Sequence, residues 1–167
     1  MGLKIIHRMA ELPFGALMAV FETSNRERAR ENWPHLSQME GLYRAEMEFY
    51  QYLRHDFFTM GDSFYALWEE SGRIVSAVRF ERWRDGWLLE GLETRPGDRG
   101  RGYACRLLAA ALPEGKVYAH VHRANGASVA VHQKCGFRES GDTPMVDGSF
   151  LPGYITMVRE LENPQSF

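Results

Sequence analysis

Three strand-like runs follow one another almost without interruption: Phe64 to Trp68, Ile74 to Arg82 and Trp87 to Thr94. Glu70-Ser71-Gly72 and Asp85-Gly86 separate them, and turns of this chemistry reverse the chain between paired strands. The runs read as an antiparallel meander. Immediately afterwards the pattern changes. Gly100 and Gly102 lead into Ala104, Leu107, Leu108 and Ala111 at helical spacing, and Pro113 and Gly115 stop that helix. Val117 to His122 then reads as another strand. A strand–helix–strand crossover sets its two strands parallel. The chain is thereby constrained to a mixed α/β (α+β) fold: a mostly antiparallel central sheet holding one parallel pair.

The flanking segments complete the order. Lys4 to His7 reads as a first strand and Phe14 to about Asn32 as one helix. Ser37-Gln38-Met39-Glu40 is a capping box that opens a second helix running to about His55. Met39, Leu42, Tyr43, Met47, Phe49, Tyr50 and Leu53 give that helix a wide apolar stripe suited to packing on a sheet. Asn125 to Cys135 reads as a short helix capped by Gly136. Phe137 to Met145 and Tyr154 to Leu161 read as a terminal hairpin, which offers a surface for a homodimer. The order is β-α-α-β-β-β-α-β-α-β-β, expected as one domain over residues 1–167.

Several classes are set aside. Lys+Arg is 20 and Asp+Glu is 22, a net charge of −2, so no bulk attraction to nucleic acid or an anionic membrane is expected. The apolar stretch Phe14 to Phe21 is too short to span a bilayer, and no small-residue cleavage site follows it. Cys105 and Cys135 form no CxxC pattern, which fits a reducing, cytoplasmic setting. His120 and His122 have two-ligand metal spacing but no third ligand at useful local spacing, so no metal is expected.

The segment Leu92 to Ala104 carries the most chemistry. A strand ends, a Gly-rich turn follows and a helix begins at once. The first N–H groups of a helix lack partners and lie at its positive end, and glycines let an anion approach them. Arg95, Arg99, Arg101 and Arg106 add positive charge against one nearby acid, Asp98. An ordinary turn with solvated arginines would look the same locally. Gly100-Arg101-Gly102-Tyr103-Ala104-Cys105 nearly fits the dinucleotide fingerprint. His122-Arg123 stand where that fold needs an acid, and the preceding strands form a meander, so the dinucleotide reading is excluded.

Arg99-x-x-Gly102-x-Ala104 after a strand resembles the acyl-CoA-binding signature of the GNAT N-acetyltransferase superfamily, [QR]-x-x-G-x-[GA]. Thr94-Arg95-Pro96-Gly97-Asp98 resembles the family's strand end before the pyrophosphate loop. Asn125…His132…Gly136-Phe137 resembles its Asn…Tyr…Gly-Phe block. The element order is similar as well. The resemblance implies acetyl-CoA as co-substrate and an amine of a small molecule or peptide as acceptor. Acetyl-CoA would lie where strands 87–94 and 117–122 splay apart. Backbone groups of Leu92, Glu93 and Thr94 would pair with pantetheine and polarise the thioester carbonyl. Amides of Arg99, Gly100, Arg101, Gly102, Tyr103 and Ala104 would hold the pyrophosphate, and Asn125 corresponds to the cofactor-side Asn.

The implied reaction is direct attack of a neutral amine on the thioester, which needs a base. Glu90 is the candidate, placed by alternation beside Leu92 and Thr94 with Glu93 facing the other way. His132 stands where the family has its proton-donating Tyr. An imidazole can donate only when protonated, so the alternatives are that His132 packs beside the thiol or that the domain binds acyl-CoA without turnover. The acceptor pocket would come from residues 14–60 and 141–154, where no motif names the amine.

Overall fold

The computed structural model describes residues 2–160. Its strands are β1 (Gly2–Ile6), β2 (Phe64–Glu70), β3 (Arg73–Trp83), β4 (Gly86–Thr94), β5 (Lys116–His122), β6 (Arg138–Glu139), β7 (Met145–Val146), β8 (Ser149–Phe150) and β9 (Tyr154–Glu160). The helices are α1 (Phe14–Val20), α2 (Glu22–Asn32), α3 (Gln38–His55), α4 (Tyr103–Ala111) and α5 (Gly126–Lys134). Seven strands form one sheet in the order β1-β2-β3-β4-β5-β9-β6, and β7-β8 is a separate ribbon. Among the described residues only β4 and β5 run parallel, as the crossover through α4 requires.

Each face of the sheet buries its own core. On one, Val78, Phe80, Leu89 and Val117 pack with Leu107 and Leu108 of α4. On the other, Tyr65, Leu67 and Ala77 pack with Leu17 of α1 and Phe49 and Leu53 of α3. Period-two alternation along β2 and β3 assigns these side chains to opposite faces.

Three local expectations change. The expected helix over 14–32 is two helices that break at Phe21. The apolar residues of α1 (Leu17, Met18, Val20) are buried, whereas α2 buries only Asn25 and Ala29. Phe21 itself inserts beside Phe49, with ring centroids 5.5 Å apart. In α3 the capping box forms as expected, with Glu40 N–H donating to Ser37 Oγ at 3.3 Å and Ser37 N–H donating to Glu40 Oε2 at 3.2 Å. Its buried row is narrower than the apolar stripe, however: Gly41, Ala45, Phe49 and Leu53, spaced by four, while Met39 and Tyr43 face outwards. The terminal hairpin also shortens. Within the hairpin the ladder to β9 consists of Arg138 and Glu139, followed by one bond from Ser140 N–H to the Thr156 carbonyl; Asp142 N–H then bonds to the Ser140 hydroxyl and the chain turns away. Met145 belongs to the ribbon instead, and Leu161 lies outside the described residues.

Candidate active site

The sheet opens at the C-terminal end of β4. Pairing between β4 and β5 consists of Trp87↔Val117, Leu88↔Tyr118 and Leu89↔Ala119. From Glu90 onward the strands part, and the β4 edge facing β5 has no ladder partner there. In the same stretch Ala77 pairs with Glu93 and Arg79 with Glu90, so Val78 stands opposite two residues, Gly91 and Leu92. This is a β-bulge. Gly91 holds φ at +58°, and a Cβ there would lie 2.6 Å from an Arg79 guanidinium nitrogen. Glycine is required on both counts.

The bulge moves side chains between faces. Leu92 packs on the α4 core. Glu90 and Glu93 both point to the other face, Glu90 beside Arg79 and Glu93 opposite Ala77. Plain alternation had set Glu90 with Leu92 and Thr94 and had opposed Glu93. The extra residue inverts that arrangement.

After β4, Asp98 is buried in a one-turn helix. Its carboxylate receives Arg73 Nη2 at 3.2 Å and Arg101 Nη1 at 3.5 Å. Arg101 is thus engaged by Asp98, which lines the groove. Arg99 extends the other way, donating from Nε to the Thr94 carbonyl at 3.2 Å and from Nη2 to Thr23 Oγ1 at 3.1 Å. It joins the end of β4 to α2. Gly102 then opens α4 in the left-handed region, φ +78°, with nothing within 4 Å of a Cβ position. The first helical bond runs from Arg106 N–H to the Gly102 carbonyl. The N–H groups of Tyr103, Ala104 and Cys105 therefore have no intrahelical acceptor and sit at the positive helix end. Across the opening, Asn125 Oδ1 caps α5 by accepting Ser128 N–H at 3.1 Å.

These parts enclose a groove of about 700 Å³ between α2, β4, α4 and α5. Leu92, Glu93, Thr94, Arg99, Gly100, Gly102, Tyr103, Ala104 and Asn125 line it. Arg101, Glu90 and His132 are not among the lining residues. Thr23, Ser24 and Glu27 of α2 are, and sequence reasoning missed them because a charged helix segment reads as solvated. Burial pushes the Glu93 carboxyl above its ordinary value, and its Oε2 is buried with no partner among the described residues.

His132 is 2% exposed. Its Nδ1 lies 2.7 Å from the Ser128 carbonyl, an acceptor only, so Nδ1 carries the proton. Nε2 is buried without a partner among the described residues, and desolvation holds the ring below its ordinary pKa. In this state the imidazole is neutral and has no spare proton at Nε2.

A model of the acetyltransferase (GNAT) family matches residues 22–137. The chain belongs to this family. No curated protein matches it. Among solved GNAT-like structures, an IAA acetyltransferase from Bacillus cereus superposes with a TM-score of 0.59 at 13% identity, covering 95% of this chain and 98% of the other. A PaiA N-acetyltransferase from Thermoplasma acidophilum, in complex with coenzyme A, gives 0.62 at 13% identity over 96% and 100%. A spermidine N-acetyltransferase SpeG chimera from Vibrio cholerae and hSSAT gives 0.56 at 19% over 96% and 96%. At these identities the likeness is one of fold. The mostly antiparallel sheet with its parallel β4-β5 pair matches the fold of these GNAT structures. Among the described residues no group of three or more metal-ligating side chains gathers, and no helix is long and apolar enough to cross a membrane.

Proposed function

We propose that this GNAT protein transfers an acetyl group from acetyl-CoA to a primary amine of a small molecule or peptide by direct attack. One observation carries the reading. A strand edge without a ladder partner and a helix N-terminus with bare amides after a glycine turn lie along a single groove. The first suits the amides of a pantetheine arm, which can pair as an added strand would. The second suits a diphosphate.

The chain's residues then take these parts. Amides from Arg99 to Ala104 bind phosphate oxygens, and Arg99 holds β4 and α2 at a set spacing. Arg101, spent on Asp98, fixes the loop rather than the ligand. Backbone groups of Leu92, Glu93 and Thr94 align the acyl arm, and an N–H at the bulge stabilises the oxyanion as negative charge develops. The free amide nitrogen of Asn125 faces the arm from α5. Glu90 lies at the root of the splay on the opposite face and marks the side from which the ammonium arrives. His132 packs and gives no proton to the leaving thiolate.

That neutral, buried His132 also favours a second reading, a non-catalytic acyl-CoA-binding or regulatory module. Thermal shift with CoA, acetyl-CoA and NAD tests the groove. Release of free thiol from acetyl-CoA with a panel of amines tests transfer. Stabilisation by CoA with thiol release supports the enzyme, and stabilisation with no release from any amine supports the binding module. Stabilisation by NAD alone refutes both.

A further inference from the structure

On the sheet face that packs against α1 and α3, polar side chains line up beside the splay. The cross-strand register sets Tyr65 of β2 opposite Arg79 of β3, and Arg79 opposite Glu90 of β4. Two residues further along β3, on the same face, stands Glu81, opposite Leu88. Glu81 and Glu90 are diagonal neighbours, about 7–8 Å apart at the backbone and within reach of long side chains. Pairing to β5 ends at Leu89, so both carboxylates stand beside the point where the strands part.

The two carboxylates are not equivalent. Glu90 has a cation, with Arg79 Nε 3.5 Å from its Oε2. Arg79 is held in turn beneath the rings of Phe49 and Tyr52 of α3. Glu90 is held by that contact. Glu81 forms no ion pair among the described residues and is only partly exposed. The row is also polar: the fully buried Tyr65 hydroxyl and Arg79 Nε have no hydrogen-bond partner among the described residues.

We propose that Glu81 is the proton acceptor of the reaction proposed above, and that Glu90 orients the ammonium. This rests on the transferase reading. An ammonium N–H proton passes to a Glu81 carboxylate oxygen, directly or through one water. The freed lone pair forms the C–N bond, the C–S bond breaks with its electrons going to sulfur, and a second nitrogen proton ends on the thiolate. The products are an N-substituted acetamide, free CoA thiol and protonated Glu81. The charged and titratable groups facing Glu81 are Glu90 of β4, Arg79 of its own strand, Tyr52 of α3 and Asp147 of the β7-β8 turn. Burial first, then the Glu90 charge, push the Glu81 carboxyl up to about 7, with Arg79 pulling the other way. A base with a pKa near the working pH is the efficient one.

The test compares wild type with Glu81→Gln in kcat/KM against pH, using acetyl-CoA and a panel of primary amines that includes spermidine. The wild-type profile is expected to rise through an apparent pKa near neutrality. Glu81→Gln is expected to lose that limb and about 100-fold in rate at neutral pH, with CoA affinity unchanged and activity partly recovered at high pH where the amine deprotonates itself. Loss of rate at all pH values alike, or retention of the limb with a rate within about threefold of wild type, overturns the assignment. A ¹³C titration of the glutamate carboxyls keeps the idea exposed should the variant fold poorly. A wild-type carboxyl titrating near neutrality supports it, and titration of all of them in the ordinary acidic range overturns it. If wild type binds CoA but releases no thiol with any amine, the transferase reading falls and this proposal with it, an outcome visible without any variant.

Discussion

Gly102 is where the anion-binding assignment is most exposed to test. It occupies φ +78° at the start of α4, with open space at its Cβ position. Any side chain there meets the strain of the left-handed region, about 1–2 kcal/mol. For a domain of this length that lowers Tm by about 2–8 °C. Gly102→Ala isolates this backbone cost. Gly102→Glu adds a carboxylate at the mouth of the groove. Two unit charges about 5 Å apart in a medium of effective dielectric about 20 repel by about 3 kcal/mol. That corresponds to about 100-fold in affinity for a bound diphosphate, less at high salt. Isothermal titration with CoA at two salt concentrations reads the difference. Both variants are expected to lose similar stability, whereas only Gly102→Glu loses CoA affinity, and that loss shrinks as salt is added. Equal CoA affinity in the two variants would refute the placement of phosphate at this helix start.

Three further outcomes are expected. His132→Phe keeps the wild-type dependence of rate on pH, because the native ring is already neutral and its Nδ1 proton is engaged by Ser128; disappearance of a pH limb in rate assays would restore it as a donor. Asn125→Ala removes the α5 cap and lowers stability by about 1 kcal/mol in denaturant melts, together with weaker CoA binding; a change in neither would show that the side chain serves neither role. Asp85 is held at about 2 by Lys116 and Tyr118, so its folded pKa lies below its unfolded one and its contribution is present above the unfolded value. Asp85→Asn is therefore less stable than wild type near neutrality, and the gap closes as pH falls through the folded value; a gap that persists in strong acid contradicts the ion-pair account.

What was legible in the chain follows the range of the interactions. The Ser37–Glu40 box, the Asp85-Gly86 turn, the Gly100–Gly102 bend and the helical spacing of Leu107, Leu108 and Ala111 are encoded within a few residues, and each is found where its pattern stands. So is the crossover from β4 to β5, because a helix between two strands leaves one direction for the second. The groove was legible as far as it is made of backbone, since glycines and a helix start advertise free amides locally.

The rest depends on contacts that no local pattern contains. One unpaired residue at Gly91 passes Glu93 to the face of Glu90, since side chains alternate with a period of two and a single insertion reverses everything beyond it. The polar start of α2 reads as solvent-facing until the fold brings Thr23, Ser24 and Glu27 against β4. Arg101 reads as a phosphate ligand until Asp98 takes it, and His132 reads as an acid until its burial is known. By itself the sequence determined the β2-β3-β4 meander, the crossover through α4 and the bare amides of the groove, which arise from backbone propensities between near neighbours. Only the tertiary structure decided which carboxylates, arginines and imidazole meet there, because side-chain charge and protonation depend on neighbours distant in the chain.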